Sequence, residues 1–241
     1  SIAAALWMVV GTYLISVIVT FAIPKLKAHG ATLKGALAEF TQVTREFLIT
    51  PRARFAMLGG SLFWGSSAVL RVVLVAWAPL VLAMNTAGDI SILTLFLAVG
   101  VIVGAAVVPK LITLKTLRRA RIAAYAMGIL MLLFATVETI WPARMALLLI
   151  GVAGGMFVIP INAALQEIGH AGVGSGHAIA IQNFFQNFAM LLMVGIYTAA
   201  AAGGIGPVHT IFALGAFIVT VTLLISRRLP PGDPYQNNNG E

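Results

Sequence analysis

Apolar segments of about 20 residues recur along almost the whole chain, and they constrain its fold more than any other feature. Only 9% of the 241 residues are charged and 60% are hydrophobic, whereas a soluble domain carries about 25% charged residues. A helix that crosses a membrane needs about 20 mostly apolar residues. The sequence therefore predicts an all-α, polytopic membrane helix bundle and excludes a water-soluble core of this size.

Hydropathy places seven spans in the chain. They cover residues 2–23, 55–83, 90–109, 121–141, 145–166, 177–201 and 207–226. Residues 1–5 contain neither an initiator methionine nor a basic segment, so we interpret the first span as a true helix in a chain that starts within a longer protein. The polar tail, 229–241, is predicted to be disordered.

The net charge of +8 comes from basic residues in the connections on one side of the predicted bundle. By the positive-inside rule this side, with the C-terminus, is cytoplasmic, and the Ser1 end is periplasmic. The opposite side offers little beyond Asp89, Glu138 and Arg144. Such a distribution orients helices and does not indicate nucleic acid binding.

The stretch 24–54 between the first two spans is longer than an ordinary connection within a bundle. Its apolar residues recur at steps of three and four, which predicts an amphipathic helix. They are Leu33, Leu37, Phe40, Val43 and Phe47, with Thr44 on the same stripe. Two interpretations remain open: an interfacial helix along the inner membrane face, or a soluble linker helix.

Arg71 is the most informative single residue because it lies about 24 Å into the second predicted span. A guanidinium facing lipid at that depth costs at least about 2.5 to 3.5 kcal/mol, so it should face a wet cavity or a counter-charge. Trp64 and Ser67 precede it on the same helical face. The functional hypothesis is that Arg71 binds an anionic group such as a phosphate; the structural alternative is a pair with a carboxylate of another helix.

Four amides follow one another in the sixth predicted span at spacings typical of one broad helical stripe. They are Gln182, Asn183, Gln186 and Asn187. Such amides can line a substrate path or form hydrogen bonds between helices. The sequence does not separate these two roles.

Pro160 in the fifth predicted span, with Gly154 and Gly155 before it, predicts a bend that would permit gating. Asn162 either faces the cavity or satisfies freed backbone groups near the proline. Gly100 and Gly104 form a small-residue pair in the third span, for which we predict a packing role only.

Neither a catalytic site nor a metal or cofactor site is predicted. The chain contains no cysteine, and its four histidines are scattered without a partner at ligand spacing. They are His29, His170, His177 and His209. An enzyme of the membrane surface would need a paired histidine and acid, which the sequence does not offer.

Three segments, 60–79, 151–167 and 174–197, resemble the bacterial lysophospholipid transporter family, LplT, of the major facilitator superfamily. The resemblance extends over residues 1–228 and implies transmembrane helices 6 to 12 of a twelve-helix transporter. Residues 1–23 would be the last helix of the N-terminal half, 24–54 the cytoplasmic linker, and 55–228 the C-terminal six-helix bundle.

The resemblance implies a flippase that moves lysophosphatidylethanolamine and lysophosphatidylglycerol from the outer to the inner leaflet of the bacterial inner membrane by alternating access. Its implied partners are membrane lipids, the N-terminal half of the transporter and, functionally, a lysophospholipid acyltransferase. Arg71 matches an embedded arginine of the family's seventh helix, whereas Gln186 stands where the family has an acidic residue. The alternatives are a multidrug or small-solute exporter on the same fold, and, from another class, a membrane-embedded acyltransferase or a scaffold.

Overall fold

The computed structural model describes residues 2–22, 33–112, 114–171 and 175–227, and within these ranges every regular element is helical. The helices are α1 (Ile2–Phe21), α2 (Leu33–Ile49), α3 (Pro51–Leu82), α4 (Ala87–Leu111), α5 (Ala120–Phe134), α6 (Ile140–Ala171), α7 (Ser175–Ala202) and α8 (Pro207–Ser226), with a short 3-10 helix at Leu114–Arg119 before α5. The predicted all-α fold is confirmed. The predicted tail at 229–241 and the start of the linker at 24–32 lie outside the described residues.

The chain divides into two compact units, residues 1–39 and 40–241. The first contains α1 and the beginning of α2. The second contains the end of α2 together with α3 to α8, and it carries the candidate site.

Five of the described helices, α3, α4, α6, α7 and α8, are long and apolar enough to cross a membrane. The apolar part of α1 is shorter and covers Leu6–Phe21. The predicted span 121–141 is wrong in its extent, because α5 has only 15 residues and ends at Phe134. Beyond it Val137 N–H donates to the Phe134 carbonyl in a turn. Hydropathy did not detect this turn because Val137 within it and Ile140 after it are apolar.

The second unit is organised around α6, which packs along α4, α5, α3 and α7. α3 packs mainly on α7, and α5 packs on both α6 and α8. Large aromatic side chains fill the space between these helices. Trp77 of α3 and Phe134 of α5 are fully buried with ring centroids 4.6 Å apart. Rings at this separation contribute beyond their buried area.

Glycines bring the backbones of α4 and α6 into direct contact. A Cβ added at Gly100 would overlap the carbonyl oxygen of Leu148, and one at Gly151 would overlap that of Leu97. Gly104 and Gly155 repeat this arrangement one turn further along. We call these four residues the glycine seam. The predicted packing role of Gly100 and Gly104 is confirmed, because close backbone approach is what small residues permit between membrane helices.

The amphipathic stripe of the linker forms helix α2, but its later residues pack on protein. Val43 and Phe47 are buried in the second unit, and the ring of Phe40 lies edge-on to Phe184 of α7 with centroids 5.2 Å apart. These apolar side chains therefore cover part of the bundle surface, which the interfacial interpretation alone did not predict.

Candidate functional site

A cavity of about 340 Å³ lies between α3, α4, α5 and α6. Most of its wall is apolar, and its polar groups come from α3, α4 and α6. The lining residues are Phe63, Trp64, Ser66, Ser67, Leu70 and Arg71 of α3, Thr94, Leu97, Ala98, Val101 and Ile102 of α4, Met127 and Met131 of α5, and Ile150, Gly151, Val158, Ile159 and Asn162 of α6. We call this cavity the cleft. The cleft separates α3 from α4, and these two helices therefore make few contacts with each other.

Arg71 lines the cleft and is exposed. Its neighbours Leu70 and Val73 are buried in the bundle, so the guanidinium occupies the face of α3 that is not used for packing. Among the carboxylates that the structure describes, none forms an ion pair with it. The structural alternative, a carboxylate partner within this chain, therefore finds no support in the described ranges.

Trp64 and Ser67 line the same cleft as Arg71, as their spacing on α3 predicted. The indole Nε1 of Trp64 is buried and has no hydrogen-bond partner within the described residues. A buried donor without an acceptor costs roughly 1 to 3 kcal/mol. Trp64 therefore contributes its ring to the cleft wall, while its buried N–H lacks an acceptor in the described part of the chain.

Asn162 also lines the cleft, and it is bonded to one of the predicted amides. Gln182 Nε2 of α7 donates to Asn162 Oδ1 of α6 over 2.8 Å. This contact matches the interhelical role that the sequence left open for Gln182, whereas no bond to another helix was predicted for Asn162. Asn162 thus combines a position on the cleft wall with a contact that joins two helices.

The four amides of α7 do not share one environment. Gln186 is only 7% exposed and faces Gly60 of α3, whereas Asn183 and Asn187 are exposed. Asn187 Nδ2 donates to the carbonyl of Asn183 in its own helix. Neighbouring helical positions differ by about 100° in direction. One part of the stripe therefore packs against the bundle, and the other part lies outside this contact. The cleft itself is lined by none of the four.

Pro160 lies inside α6, and the two glycines before it make close contacts with other helices. A Cβ added at Gly154 would lie 2.9 Å from Cε2 of Phe63, and one at Gly155 would overlap the carbonyl oxygen of Val101. These contacts give both glycines a packing function. Their predicted role in gating stays a prediction.

Sequence reasoning missed two hydroxyl groups of the cleft, Ser66 and Thr94. The Ser66 hydroxyl is buried and has no hydrogen-bond partner in the part of the chain that the structure describes. Its sequence position beside Ser67 was the available signal. The sequence contained no such signal for Thr94, because only the packing of α4 on α6 brings this residue to the wall of the cleft.

Substituting Gln186 and Gln182 separately should distinguish a buried amide without a partner from one that joins two helices. In Gln186→Leu the unpaired Nε2 group is replaced by apolar volume, so the free energy of unfolding should stay equal or rise by about 1 kcal/mol. In Gln182→Leu the bond to Asn162 is lost, and the same quantity should fall by about 0.6 to 1.7 kcal/mol. Titration of the chain in detergent micelles with sodium dodecyl sulfate measures both.

Asn183→Leu serves as the matched control, because it removes an exposed amide of the same helix. It should change the free energy of unfolding by less than about 0.5 kcal/mol. A larger loss of stability in Gln186→Leu than in Gln182→Leu would contradict the assignment of Gln186 as the unpaired amide.

An ion pair joins the first turn of α3 to the last turns of α6 at one end of the bundle. Arg52 Nη2 donates to Glu167 Oε2 over 2.6 Å. The Arg52 side chain is 11% exposed and that of Glu167 is 47% exposed. A half-exposed pair of this kind contributes at most about 1 kcal/mol to stability, so its main consequence is to fix the position of α3 on α6.

The first curated proteins that resemble this chain in sequence are all named lysophospholipid transporter LplT. The protein of Photorhabdus laumondii subsp. laumondii is 38% identical over 229 residues, which are 93% of this chain and 58% of the relative. Those of Shigella flexneri serotype 5b and Escherichia coli O1:K1 / APEC are 40% identical over 217 residues, which are 87% of this chain and 54% of each relative. No protein-family model matches the chain, and no solved structure matches it.

The chain thus spans a little more than half the length of the curated relatives it matches. Its five long apolar helices and its similarity to transporters make it a multi-pass membrane protein. Because the match to the Photorhabdus protein covers 93% of this chain, it includes the residues that line the cleft.

Proposed function

We propose that this chain, which is 38 to 40% identical to lysophospholipid transporters LplT, belongs to their family and forms the C-terminal half of a flippase that moves lysophospholipids between membrane leaflets. The substrates are lysophosphatidylethanolamine and lysophosphatidylglycerol, which pass from the outer to the inner leaflet of the bacterial inner membrane. The N-terminal half completes the substrate path. An acyltransferase on the inner side consumes the product.

The observation that carries this proposal is the guanidinium of Arg71 in a cleft whose wall is otherwise mostly apolar. A lysophospholipid combines one phosphate with one acyl chain, so it needs a single anion-binding group beside apolar surface. The fork of an arginine suits bidentate contact with a phosphate. A sugar transporter would need many more hydrogen-bonding groups on the wall.

In this proposal Arg71 binds the phosphate, Trp64 lines the path beside it, and the hydroxyl of Ser67 donates to an acceptor oxygen nearby. Asn162 and Gln182 lie along the substrate path, with Asn183 and Asn187 on the neighbouring surface of α7 and Gln186 buried where α7 meets α3. Alternating access takes place by rocking of the two halves around this cleft. Bending of α6 at Pro160, beside Gly154 and Gly155, would permit the gate to open.

The orientation proposed for the chain follows from its basic connections. Arg52 and Arg54 at the start of α3 lie at the same predicted side as three arginines around the start of α5, Arg118, Arg119 and Arg121. The positive-inside rule makes this the cytoplasmic side. Asp89, at the start of α4, then lies on the periplasmic side. The cleft would receive its substrate from the outer leaflet.

The test is transport by the complete protein in spheroplasts that lack their own lysophospholipid transporter. Fluorescent lysophosphatidylethanolamine is added outside, and its conversion to the diacyl lipid reports arrival at the inner leaflet. We expect conversion to depend on the protein, and efflux of hydrophobic cationic drugs from the same cells to be unchanged. Drug efflux without lipid conversion would favour a multidrug exporter and reject the proposal.

A further inference from the structure

Arg144 of α6 is held between two aromatic rings. Its Cζ atom lies 5.1 Å from the ring centroid of Trp141, one turn earlier in the same helix, and 5.7 Å from that of Phe96 in α4. Both distances fall within the range of cation–π interaction. The rings fix the position of the guanidinium between α4 and α6 but supply no acceptor in the plane of its N–H groups.

The N–H groups of Arg144 have no acceptor among the described residues. Nε is buried without a hydrogen-bond partner, and no carboxylate of the described ranges forms an ion pair with this guanidinium. Asp89, an acidic residue at the start of α4, instead accepts a hydrogen bond from the Thr86 hydroxyl over 2.6 Å. Arg144 is therefore a positioned cation whose counter-charge does not come from the helices around it.

Arg144 lies where a membrane helix meets the headgroup region. It is in the second turn of α6, and Trp141 beside it is 66% exposed. Tryptophan and arginine near the ends of spanning helices lie at headgroup level. This is the end of α6 opposite to Glu167 and its ion pair with Arg52. The surroundings of Arg144 thus contain phosphates at high local concentration.

We propose that Arg144, clamped between Phe96 and Trp141, binds the phosphate of a membrane phospholipid at this end of the bundle. An arginine packed against two rings can still present the N–H groups along its edge, and that edge matches two phosphate oxygens. The site is separate from the cleft, whose wall does not include these three residues. It does not depend on the function proposed above.

The test is native mass spectrometry of the full chain in detergent micelles, with dioleoylphosphatidylglycerol titrated in. The Arg71→Gln background keeps binding at the cleft from contributing to the count. Arg144→Gln should weaken lipid binding about tenfold, the loss expected for one charge-assisted contact. Phe96→Leu, which keeps the charge and releases the clamp, should weaken it about threefold. Arg227→Gln removes an exposed arginine at the end of α8 and should leave binding within about twofold.

Two further ligands show whether binding needs the phosphate, the lipid chains or both. Dioleoylglycerol, which lacks the phosphate, should not bind to the site, and inorganic phosphate at millimolar concentration should not displace the phospholipid. Equal losses in Arg144→Gln and Arg227→Gln would show unspecific attraction between charges and overturn the proposal. Binding of dioleoylglycerol as tight as that of the phospholipid, or displacement by free phosphate, would overturn it as well. A circular dichroism spectrum and a monodisperse elution profile establish that each variant is folded.

Discussion

Uptake of lysophospholipid by the complete transporter should fall about tenfold to a hundredfold when Arg71 is replaced by alanine. The substitution removes the charge-assisted contact with the phosphate, and such a contact is worth about 1.5 to 3 kcal/mol. It does not leave a carboxylate without a partner, because the described ranges provide none for Arg71. The initial rate of fluorescent lysophosphatidylglycerol uptake into spheroplasts, divided by the amount of protein in the membrane, measures the effect.

Arg71→Lys and Arg227→Ala are the controls for this experiment. Lysine keeps the charge and loses the fork, so uptake should fall less than in Arg71→Ala. Arg227 is an exposed arginine at the end of α8, away from the cleft, and its loss should leave the rate unchanged. If Arg71→Ala transports at the rate of the unaltered protein, Arg71 has no part in substrate binding.

Gly151→Ala should destabilise the bundle by about 3 kcal/mol, the largest effect we expect from adding a single methyl group. The new Cβ would overlap the carbonyl oxygen of Leu97 and would lie about 3 Å from Gly100 Cα. Both contacts are with backbone, so α4 and α6 would have to move apart along the whole glycine seam. Overpacking costs about 1 to 3 kcal/mol where side chains can adjust, and more where they cannot. Unfolding with sodium dodecyl sulfate measures the loss.

Gly195→Ala is the matched control in α7, where no atom lies within 4 Å of the added Cβ. Its free energy of unfolding should be unchanged or slightly higher, because alanine is the better helix former. Gly65→Ala is an intermediate case: its Cβ would overlap the sulfur of Met193, which can change rotamer. Equal stability of Gly151→Ala and Gly195→Ala would disprove the close backbone contact between α4 and α6.

The fold and half of the candidate site follow from patterns that are local in sequence. A guanidinium deep in an apolar segment has to face something other than lipid, and a spacing of four or seven puts residues on one helical face. Arg71, Trp64 and Ser67 could therefore be placed together before any contact was known, and the structure brings all three to the cleft. The presence of helices was predictable for the same reason, since apolar length alone determines it.

Features that depend on contacts between distant helices were not predictable. The clamp on Arg144 needs Phe96 from another helix, 48 positions earlier in the chain. The different surroundings of Gln186 and Asn187 depend on which face of α7 packs against α3. The periodicity of the sequence does not give this face. The end of α5 at Phe134 was missed because the few polar residues of the following turn are averaged with apolar neighbours in a hydropathy window.

The glycine seam determines which wall of the cleft can move. Contacts between α4 and α6 at the seam are made by backbone atoms, which have no alternative rotamers. At Gly59, Gly60 and Gly65 of α3 the nearest atoms of the neighbouring helices belong to side chains, namely those of Ile161, Gln186 and Met193. Opening and closing should therefore displace α3 while α4 and α6 remain one rigid body. Because Arg71 belongs to α3, an anion held by this arginine would be carried along by the moving wall.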